Sequence, residues 1–311
     1  MVGRIRHQVE TIINEKLTMD YKMKILSFLF ALLLVSCTDY QDAWIDHLEV
    51  HNKKTEAQTL QLRYGDADEQ NMIVDLPANQ NAKVVLMVYG SGWAGGGIPE
   101  SLVKAKDSLK KALPKHAFVM LNYRGGTLPN PARIVQLQDI NLAVNYLKSH
   151  ASSLGIKPEF VLLGTSSGAH ISAVYTYSKM KSLSLSAVND VKGLVLLYPP
   201  LKFPNNITPF QAQIMGNLFG EIVNNETIKK YRYLEPYSNL NRRTVPQYIV
   251  AGKSDDLVPI KGVREYATKL QSLNIEHTLQ EVPTDHSGEG IPAELEQQIN
   301  IEIVNFIKRK L

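Results

Sequence analysis

The chain has 311 residues, of which 44% are hydrophobic and 21% are charged. This is the composition of a globular protein, so a disordered, collagenous or coiled-coil chain is excluded. The 34 basic and 30 acidic side chains give a net charge of +4 without a basic block, so no nucleic-acid partner is indicated. The single cysteine, Cys37, excludes an internal disulfide and a cysteine-cluster metal site.

The amino-terminal segment, residues 1–36, has the pattern of an export signal. Two lysines precede an apolar run, residues 25–35, that is about half as long as a membrane-spanning helix must be. The run ends in Leu-Val-Ser before Cys37 and resembles a bacterial lipobox, in which the signal is removed and the cysteine is lipidated. We therefore expect residues 37–54 to be a tether and acylated Cys37 to anchor an exported lipoprotein to the lipid bilayer of the cell envelope. The alternative is a cysteine buried as a small apolar side chain.

From residue 55 onward, strand-like and helix-like patterns alternate. Residues 59–64 alternate apolar and polar side chains, and a turn signal separates them from a partner strand at residues 71–76. Short apolar runs typical of strands buried on both faces follow at 84–89, 117–122, 160–163, 193–197, 247–251 and 278–282. Helical patterns lie at 102–113, 134–147, 167–179, 263–273 and 294–307. This order predicts an α/β fold with a mostly parallel central sheet, an amino-terminal antiparallel hairpin and helices on both faces.

One segment of this body shows neither pattern. Residues 201–240 contain Pro204 and several asparagines, which predict irregular structure. We expect this segment to be an insertion over one end of the sheet, a small lid, within a single domain of residues 55–311.

A nucleophile motif follows the strand predicted at 160–163. Residues 164–168 read Gly-Thr-Ser-Ser-Gly and lead directly into a predicted helix, which is the strand–turn–helix context of a G-x-S-x-G elbow. The tight turn presents Ser166 at the carboxyl end of the strand, where the amino end of the helix favours negative charge. Ser166 is therefore the predicted nucleophile, and the alternative is a serine- and glycine-rich turn without chemistry.

A glycine-rich loop follows the strand predicted at 84–89. Residues 89–97 read Tyr-Gly-Ser-Gly-Trp-Ala-Gly-Gly-Gly, without the spacing of a phosphate-binding or dinucleotide-binding loop. We predict instead an oxyanion hole made by the backbone N–H groups of Ser91, Gly92 and Ser167. The alternative is a flexible loop without a ligand.

A serine nucleophile needs a base and an orienting acid. His286 lies on a loop after the last predicted strand and is the predicted base, whereas His170, one turn along the elbow helix, is expected to make a structural hydrogen bond. Asp255 follows the preceding strand and completes the chain order Ser, Asp, His of α/β-hydrolases. On spacing alone, Asp256 or Asp285 would serve as the acid.

Taken together, these motifs resemble those of α/β-hydrolase-fold serine esterases, near the hormone-sensitive-lipase-like branch and the feruloyl- and acetyl-esterase-like branch. The resemblance covers roughly residues 55–311. The family motifs H-G-G-G-W, N-Y-R, an acidic residue before the elbow, and G-x-x-D-x-x-V-P correspond to residues 89–93, 122–124, Asp139 and 252–259. The last of these motifs favours Asp255 as the acid.

Two positions depart from that family pattern. Tyr89 stands where the family has His, and Ser91 stands where it has the central Gly, so we expect the oxyanion loop to be shifted or narrowed. The resemblance implies a carboxylic ester hydrolase that forms a covalent acyl-enzyme on short-acyl or oligosaccharide-linked esters, without a metal or organic cofactor. The rival interpretations are a serine peptidase of the prolyl-oligopeptidase type and a non-catalytic binding lipoprotein at the cell surface.

Overall fold

The computed structural model describes residues 56–127, 130–177 and 190–311, so the predicted signal, the tether and Cys37 lie outside the described residues. One sheet of eight strands forms the centre of these ranges. The strands are β1 (Gln58–Arg63), β2 (Asn71–Leu76), β3 (Ala82–Val88), β4 (Ala117–Leu121), β5 (Ile156–Thr165), β6 (Val191–Leu197), β7 (Gln247–Gly252) and β8 (His277–Val282). Their order across the sheet is β1-β2-β4-β3-β5-β6-β7-β8.

Strand direction confirms the prediction of a mostly parallel sheet with an antiparallel start. β2 runs antiparallel to both of its neighbours, β1 and β4, and all the other neighbouring pairs are parallel. Because β5, β6, β7 and β8 are parallel, their carboxyl ends meet at one edge of the sheet. The loops that carry the predicted serine, aspartate and histidine all begin at that edge.

Helices lie around this sheet, as the alternating pattern predicted. They are α1 (Glu100–Ala112), α2 (Ala132–Ser149), α3 (Ala151–Leu154), α4 (Ser167–Tyr177), α5 (Pro209–Phe219), α6 (Asn225–Lys230), α7 (Pro236–Asn239), α8 (Ile260–Ser272) and α9 (Ala293–Lys310), with a 3₁₀ turn at Arg232–Leu234. Among the described helices, none combines the length and the apolar composition that a bilayer span requires.

The centre of the sheet explains why its strands read as continuous apolar runs. Val84 through Val88 on β3 are completely buried, because this strand lies in the middle of the sheet and helices cover both faces of a parallel sheet. β1 lies at the edge of the sheet, and its outer end is exposed, which matches its alternating sequence. The most buried strands therefore surround the elbow at the end of β5.

The prediction of irregular structure for residues 201–240 is wrong. The segment contains α5, α6, the 3₁₀ turn and α7, and side chains such as Phe219, Ile228 and Leu234 are buried in the common core. One of the asparagines that suggested a loop, Asn224, caps α6. Thr208 and Gln211, which the sequence analysis did not single out, form a capping box at the start of α5. Part of the polar signal in this segment was therefore a helix start.

Candidate active site

The turn between β5 and α4 has the geometry of a nucleophile elbow. Ser166 has a φ of +47°, a left-handed conformation that is costly for a residue with a side chain. Its N–H donates to the carbonyl of Leu197 on β6 over 2.7 Å, which fixes the turn. A Cβ on Gly164 would lie 2.5 Å from the backbone of α4, and one on Gly168 would lie 2.2 Å from a backbone oxygen of the neighbouring loop. Both glycines are therefore required for the strand and the helix to approach this closely.

The structure brings the predicted serine, histidine and aspartate into one chain of hydrogen bonds. His286 Nε2 lies 2.8 Å from Ser166 Oγ, and His286 Nδ1 lies 2.7 Å from Asp255 Oδ2. The second oxygen, Asp255 Oδ1, accepts hydrogen bonds from the N–H groups of Leu257 and Val258, at 3.0 and 2.7 Å. The Asp255 side chain is 1% exposed and the His286 side chain is 18% exposed. The carboxylate is thus buried and fully paired, while the imidazole is open to solvent on one side.

The two other aspartates that the sequence left open are placed differently. Asp285 accepts hydrogen bonds from Ser287 N and Oγ, at 2.8 and 2.6 Å, and these bonds lower the pKa of the Asp285 carboxyl. Asp256 is exposed, and its carbonyl faces helix α5. Among the described residues, Asp255 is the carboxylate that bonds to His286.

The oxyanion loop, residues 89–97, turns sharply beside the elbow. Gly92 and Trp93 have φ values of +59° and +63°, and the N–H of Ala94 donates to the carbonyl of Ser91 over 3.1 Å, as in a type I′ turn. Ser91 itself has no positive φ, so its Cβ adds no strain of that kind. The departure from Gly at this position is therefore tolerated.

One of the three predicted oxyanion donors is already bonded. The N–H of Ser91 donates to Ser167 Oγ over 2.9 Å, so Ser91 is not a free donor, contrary to the sequence prediction. Within the described part of the chain, the N–H groups of Gly92 and Ser167 have no acceptor. Sequence alone could not reveal this difference, because it depends on the hydroxyl of Ser167 reaching across to the loop.

Tyr89, which replaces the family histidine, braces both ends of the oxyanion loop. Its hydroxyl accepts a hydrogen bond from the N–H of Gly97 and donates one to Asn122 Oδ1, both at 3.1 Å. Its ring stacks on Tyr123 with centroids 4.4 Å apart, and burial raises the pKa of Tyr89 to about 12. The Tyr123 hydroxyl in turn donates to the Tyr89 carbonyl. Tyr89 in place of the family histidine therefore fixes the oxyanion loop through these hydrogen bonds and does not disrupt it.

Comparison with known proteins gives the family. The BD-FAE family model matches residues 72–270, which is more than half of the chain. The chain belongs to the BD-FAE family. A curated relative, the probable carboxylic ester hydrolase LipM of Mycobacterium tuberculosis, is 21% identical over 214 residues, covering 64% of this chain and 47% of LipM. This BD-FAE protein therefore spans about half the length of that relative.

Solved structures share the fold of this BD-FAE protein. A truncated carbohydrate esterase from gut microbiota superposes with a TM-score of 0.66 at 19% identity, over 84% of this chain and 99% of that chain. Butyrate-bound esterase 2 of Thermogutta terrifontis superposes with a TM-score of 0.61 at 17% identity, over 84% of this chain and 96% of that chain. The fold is thus the α/β-hydrolase fold that the sequence motifs implied.

His170 has the structural role that the sequence analysis expected. Its Nδ1 accepts a hydrogen bond from Trp93 Nε1 over 3.3 Å, and because a Trp nitrogen can only donate, the proton of His170 is on Nε2. That Nε2 donates to the carbonyl of Leu234 over 3.0 Å. The side chain is buried, and desolvation lowers the pKa of His170 to about 3. His170 is therefore a neutral link between three segments and has no free nitrogen for catalysis.

Asp139, the acidic residue that the family carries before the elbow, also has a structural role. It is completely buried on α2 and accepts hydrogen bonds from the Arg124 guanidinium and backbone and from Gln70 Nε2. These contacts hold the loop that follows β4 against the start of the sheet. Among the described residues, no group of three His, Cys, Asp or Glu side chains could hold a metal ion.

Three residues that the sequence analysis did not single out contact the site. Gly90 lies directly against the nucleophile, since a Cβ there would be 2.7 Å from Ser166 Cβ. Gln211 and Asn217, both on α5, donate hydrogen bonds to the acid loop, defined as residues 255–258, and to the oxyanion loop. The capping-box spacing of Thr208 and Gln211 was the available signal for α5, but it does not reveal what the helix contacts.

Proposed function

We propose that this protein is a carboxylic ester hydrolase that uses Ser166, His286 and Asp255 to form and hydrolyse a covalent acyl-enzyme. The observation that carries the proposal is the relay of 2.8 Å and 2.7 Å hydrogen bonds that joins the three side chains at a strained elbow. The names of LipM and of the two superposed esterases support the same reaction class.

In the first step, Ser166 Oγ attacks the carbonyl carbon of the ester and its proton passes to His286 Nε2. Asp255 accepts the Nδ1 hydrogen bond, which keeps Nε2 unprotonated before the attack and stabilises the imidazolium after it. The carbonyl oxygen becomes an anion, and the free N–H groups of Gly92 and Ser167 are the donors that we assign to it. Each such donor contributes about 3–4 kcal/mol to the stability of a tetrahedral intermediate.

The first half of the reaction ends when the proton on His286 moves to the leaving alcohol as the carbon–oxygen bond breaks, which leaves the acyl group bonded to Ser166 Oγ. A water molecule then attacks the acyl-Ser166 carbonyl, and His286 takes one of its protons. Collapse of the second tetrahedral intermediate releases the carboxylic acid, and the proton returns from His286 to Ser166. The cycle balances without an external oxidant or reductant.

We propose short-acyl or carbohydrate-linked esters as the substrate class. The similar structures, a carbohydrate esterase and an esterase bound to butyrate, support this choice. We also propose that the mature protein is an exported lipoprotein held to the membrane by Cys37. The lipobox-like sequence before Cys37 supports this location.

A fluorophosphonate probe and an ester panel test the activity. We expect the probe to label the wild type and Ser272→Ala, an exposed control serine on α8, but not Ser166→Ala. Hydrolysis of acetyl and butyryl esters and of acetylated or feruloylated oligosaccharides should fall about 10⁴-fold or more in Ser166→Ala. Labelling that persists in Ser166→Ala would remove Ser166 as the nucleophile. Cleavage of aminoacyl amides without turnover of esters would replace the esterase by a peptidase.

A further inference from the structure

Helix α5 (Pro209–Phe219) touches the acid loop at its first turn. Gln211 Nε2 donates to the carbonyl of Leu257 over 2.9 Å and lies 3.4 Å from the carbonyl of Asp256. Gln211 is 6% exposed, so solvent does not compete for these bonds. The helix therefore contacts the loop that carries the proposed catalytic acid.

Gln211 acts on the two peptide groups that bind Asp255. The carbonyl of Asp256 belongs to the same peptide group as the N–H of Leu257, and the carbonyl of Leu257 to the same group as the N–H of Val258. These are the two N–H groups that donate to Asp255 Oδ1. A hydrogen bond accepted by a carbonyl polarises its peptide group and strengthens the donor at the other end. Gln211 thus orients and strengthens both amides that hold the carboxylate.

The last turns of α5 touch the oxyanion loop. Asn217 Nδ2 donates to the carbonyl of Gly92 over 3.0 Å. One turn earlier, Ile214 packs on the same residue, since its Cγ2 would lie 3.0 Å from a Cβ placed on Gly92. A larger residue at Gly92 would therefore push the helix away from the loop, besides being strained at a positive φ.

The helix that joins these contacts is fixed at both ends. Thr208 and Gln211 form a reciprocal capping box at its start, with Pro209 in the first turn, and Gly220 ends it in a left-handed conformation. Gly220 also lies against Pro131, which a Cβ would approach within 2.8 Å. Gln211 and Asn217 are six positions apart, about 9 Å along the axis. A capped helix of this length holds its two contacts at a constant separation.

We propose that α5 is a strut that holds the acid loop and the oxyanion loop in register, and that Gln211 and Asn217 are positioning residues for ester hydrolysis. The proposal rests on the proposed function, because both loops matter only if the triad is active. Gln211 acts through the amides on Asp255, and Asn217 acts through the Gly92 peptide. Neither side chain is assigned a contact with the reacting atoms.

Two substitutions separate the contacts from the fold of the helix. Gln211→Met keeps the length of the side chain and adds no charge, but removes the donor to Leu257 and Asp256 together with one hydrogen bond of the capping box. Asn217→Leu keeps the branched shape and the number of side-chain heavy atoms but removes the donor to Gly92. Asn225→Ala is the matched control, because Asn225 lies in the same segment and its side chain bonds only to Asn206 among the described residues.

Steady-state kinetics give the first readout. We expect kcat for a short ester to fall about 10- to 100-fold in each variant, with KM nearly unchanged, because the loops shift while the fold is kept. The thermal midpoint should stay nearly unchanged in Asn217→Leu and fall slightly in Gln211→Met, which loses one capping hydrogen bond. The double variant should lose little more kcat than the weaker of the two single variants, since releasing either loop already breaks the connection through α5. A fall equal to the product of the two single falls would show two independent contacts and would overturn the strut. Asn225→Ala should match the wild type. Two outcomes would overturn the positioning role. One is a kcat that stays at the wild-type value in both variants, and the other is a kcat that falls only as far as a lower thermal midpoint reduces the folded fraction.

Amide hydrogen exchange gives a readout that does not depend on activity. We expect faster exchange at Leu257 and Val258 in Gln211→Met and in the oxyanion loop in Asn217→Leu. Unchanged exchange in both loops overturns the strut even if kcat falls. If the wild type hydrolyses no ester but the two variants still exchange faster in these loops, α5 does hold the loops in place. That outcome overturns the proposed function and not the strut.

Discussion

At the scale of single residues, backbone strain is concentrated beside the proposed triad. Of the described residues other than glycine with a positive φ, Trp93, Ser166 and Tyr198 lie at the carboxyl edge of the sheet. Tyr198 packs the edge of its ring against His286, with centroids 6.1 Å apart. Such conformations persist only where surrounding contacts fix them. Here the N–H of Tyr198 donates to the carbonyl of Val250 over 2.8 Å.

Gly90 gives a prediction at this scale. In Gly90→Ala, the new Cβ would lie 2.6 Å from the Thr165 carbonyl and 2.7 Å from Ser166 Cβ, so the nucleophile must move. We expect kcat to fall about 100-fold in ester assays, because a displacement near 1 Å costs about that much.

Gly216→Ala is the control for this experiment. A Cβ at Gly216, inside α5, would meet only the Glu221 carbonyl at 3.7 Å, an ordinary contact. Activity should be retained, and the higher helix propensity of Ala should add about 0.5–1 kcal/mol to the free energy of unfolding. If Gly90→Ala kept the wild-type kcat, the close approach of the oxyanion loop to the elbow would not matter for the reaction.

At the scale of elements, the sequence predicted what local patterns encode. Unbroken apolar runs located the parallel strands, and the motif at residues 164–168 located the elbow. The helices of residues 201–240 were missed because the polar residues that cap them also favour loops. The bond from Ser91 to Ser167 and the contacts of Gln211 were not predictable, since they join residues far apart in sequence and depend on side-chain direction.

A buried charge cluster joins β2 to α1. Asp75 Oδ2 accepts hydrogen bonds from Lys106 Nζ and Lys110 Nζ at 2.8 and 2.9 Å, and Oδ1 accepts one from Thr59 Oγ1 at 2.7 Å. Burial by itself raises the pKa of Asp75, but the hydrogen bonds from Lys106, Lys110 and Thr59 outweigh it, so the pKa lies below its usual value. The carboxylate is therefore ionised at neutral pH and forms ion pairs with both lysines.

Asp75→Asn tests this cluster. The Lys106 side chain is 9% exposed, so removing the carboxylate leaves a nearly buried ammonium with the exposed Asp107 as its remaining ion-pair partner among the described residues. We expect a loss of about 3 kcal/mol in the free energy of unfolding, measured by urea denaturation at pH 7. The double variant Asp75→Asn, Lys106→Met should recover part of that loss, because it also removes the nearly buried ammonium of Lys106. Equal stability of the wild type and Asp75→Asn would show that the cluster contributes nothing.

At the scale of the whole molecule, one imidazole links three parts of the described fold. His170 belongs to α4, its Nδ1 binds Trp93 of the oxyanion loop, and its Nε2 binds Leu234 in the 3₁₀ turn. The residue 201–240 segment, the oxyanion loop and the elbow helix therefore meet at a single buried side chain. Protonation of His170 would place a second N–H against the donor of Trp93 and a charge in the core, so all three parts should loosen together.

This arrangement predicts acid sensitivity with a defined sign. The pKa of His170 falls from 6.5 in an ordinary environment to about 3 in the fold, because burial opposes the charged form. Below pH 6.5 His170 binds a proton in the unfolded chain but stays neutral in the folded chain. The free energy of unfolding should therefore fall as the pH decreases from 6.5 towards 3. At pH 4.5 this single group should remove roughly 3 kcal/mol. Urea titrations at several pH values measure how the free energy of unfolding changes with pH. His170→Gln keeps a donor for the Leu234 carbonyl but cannot titrate, so the difference between wild type and this variant gives the contribution of His170. Wild type and His170→Gln should converge in stability as the pH falls, and parallel curves would contradict the assignment of acid sensitivity to this link.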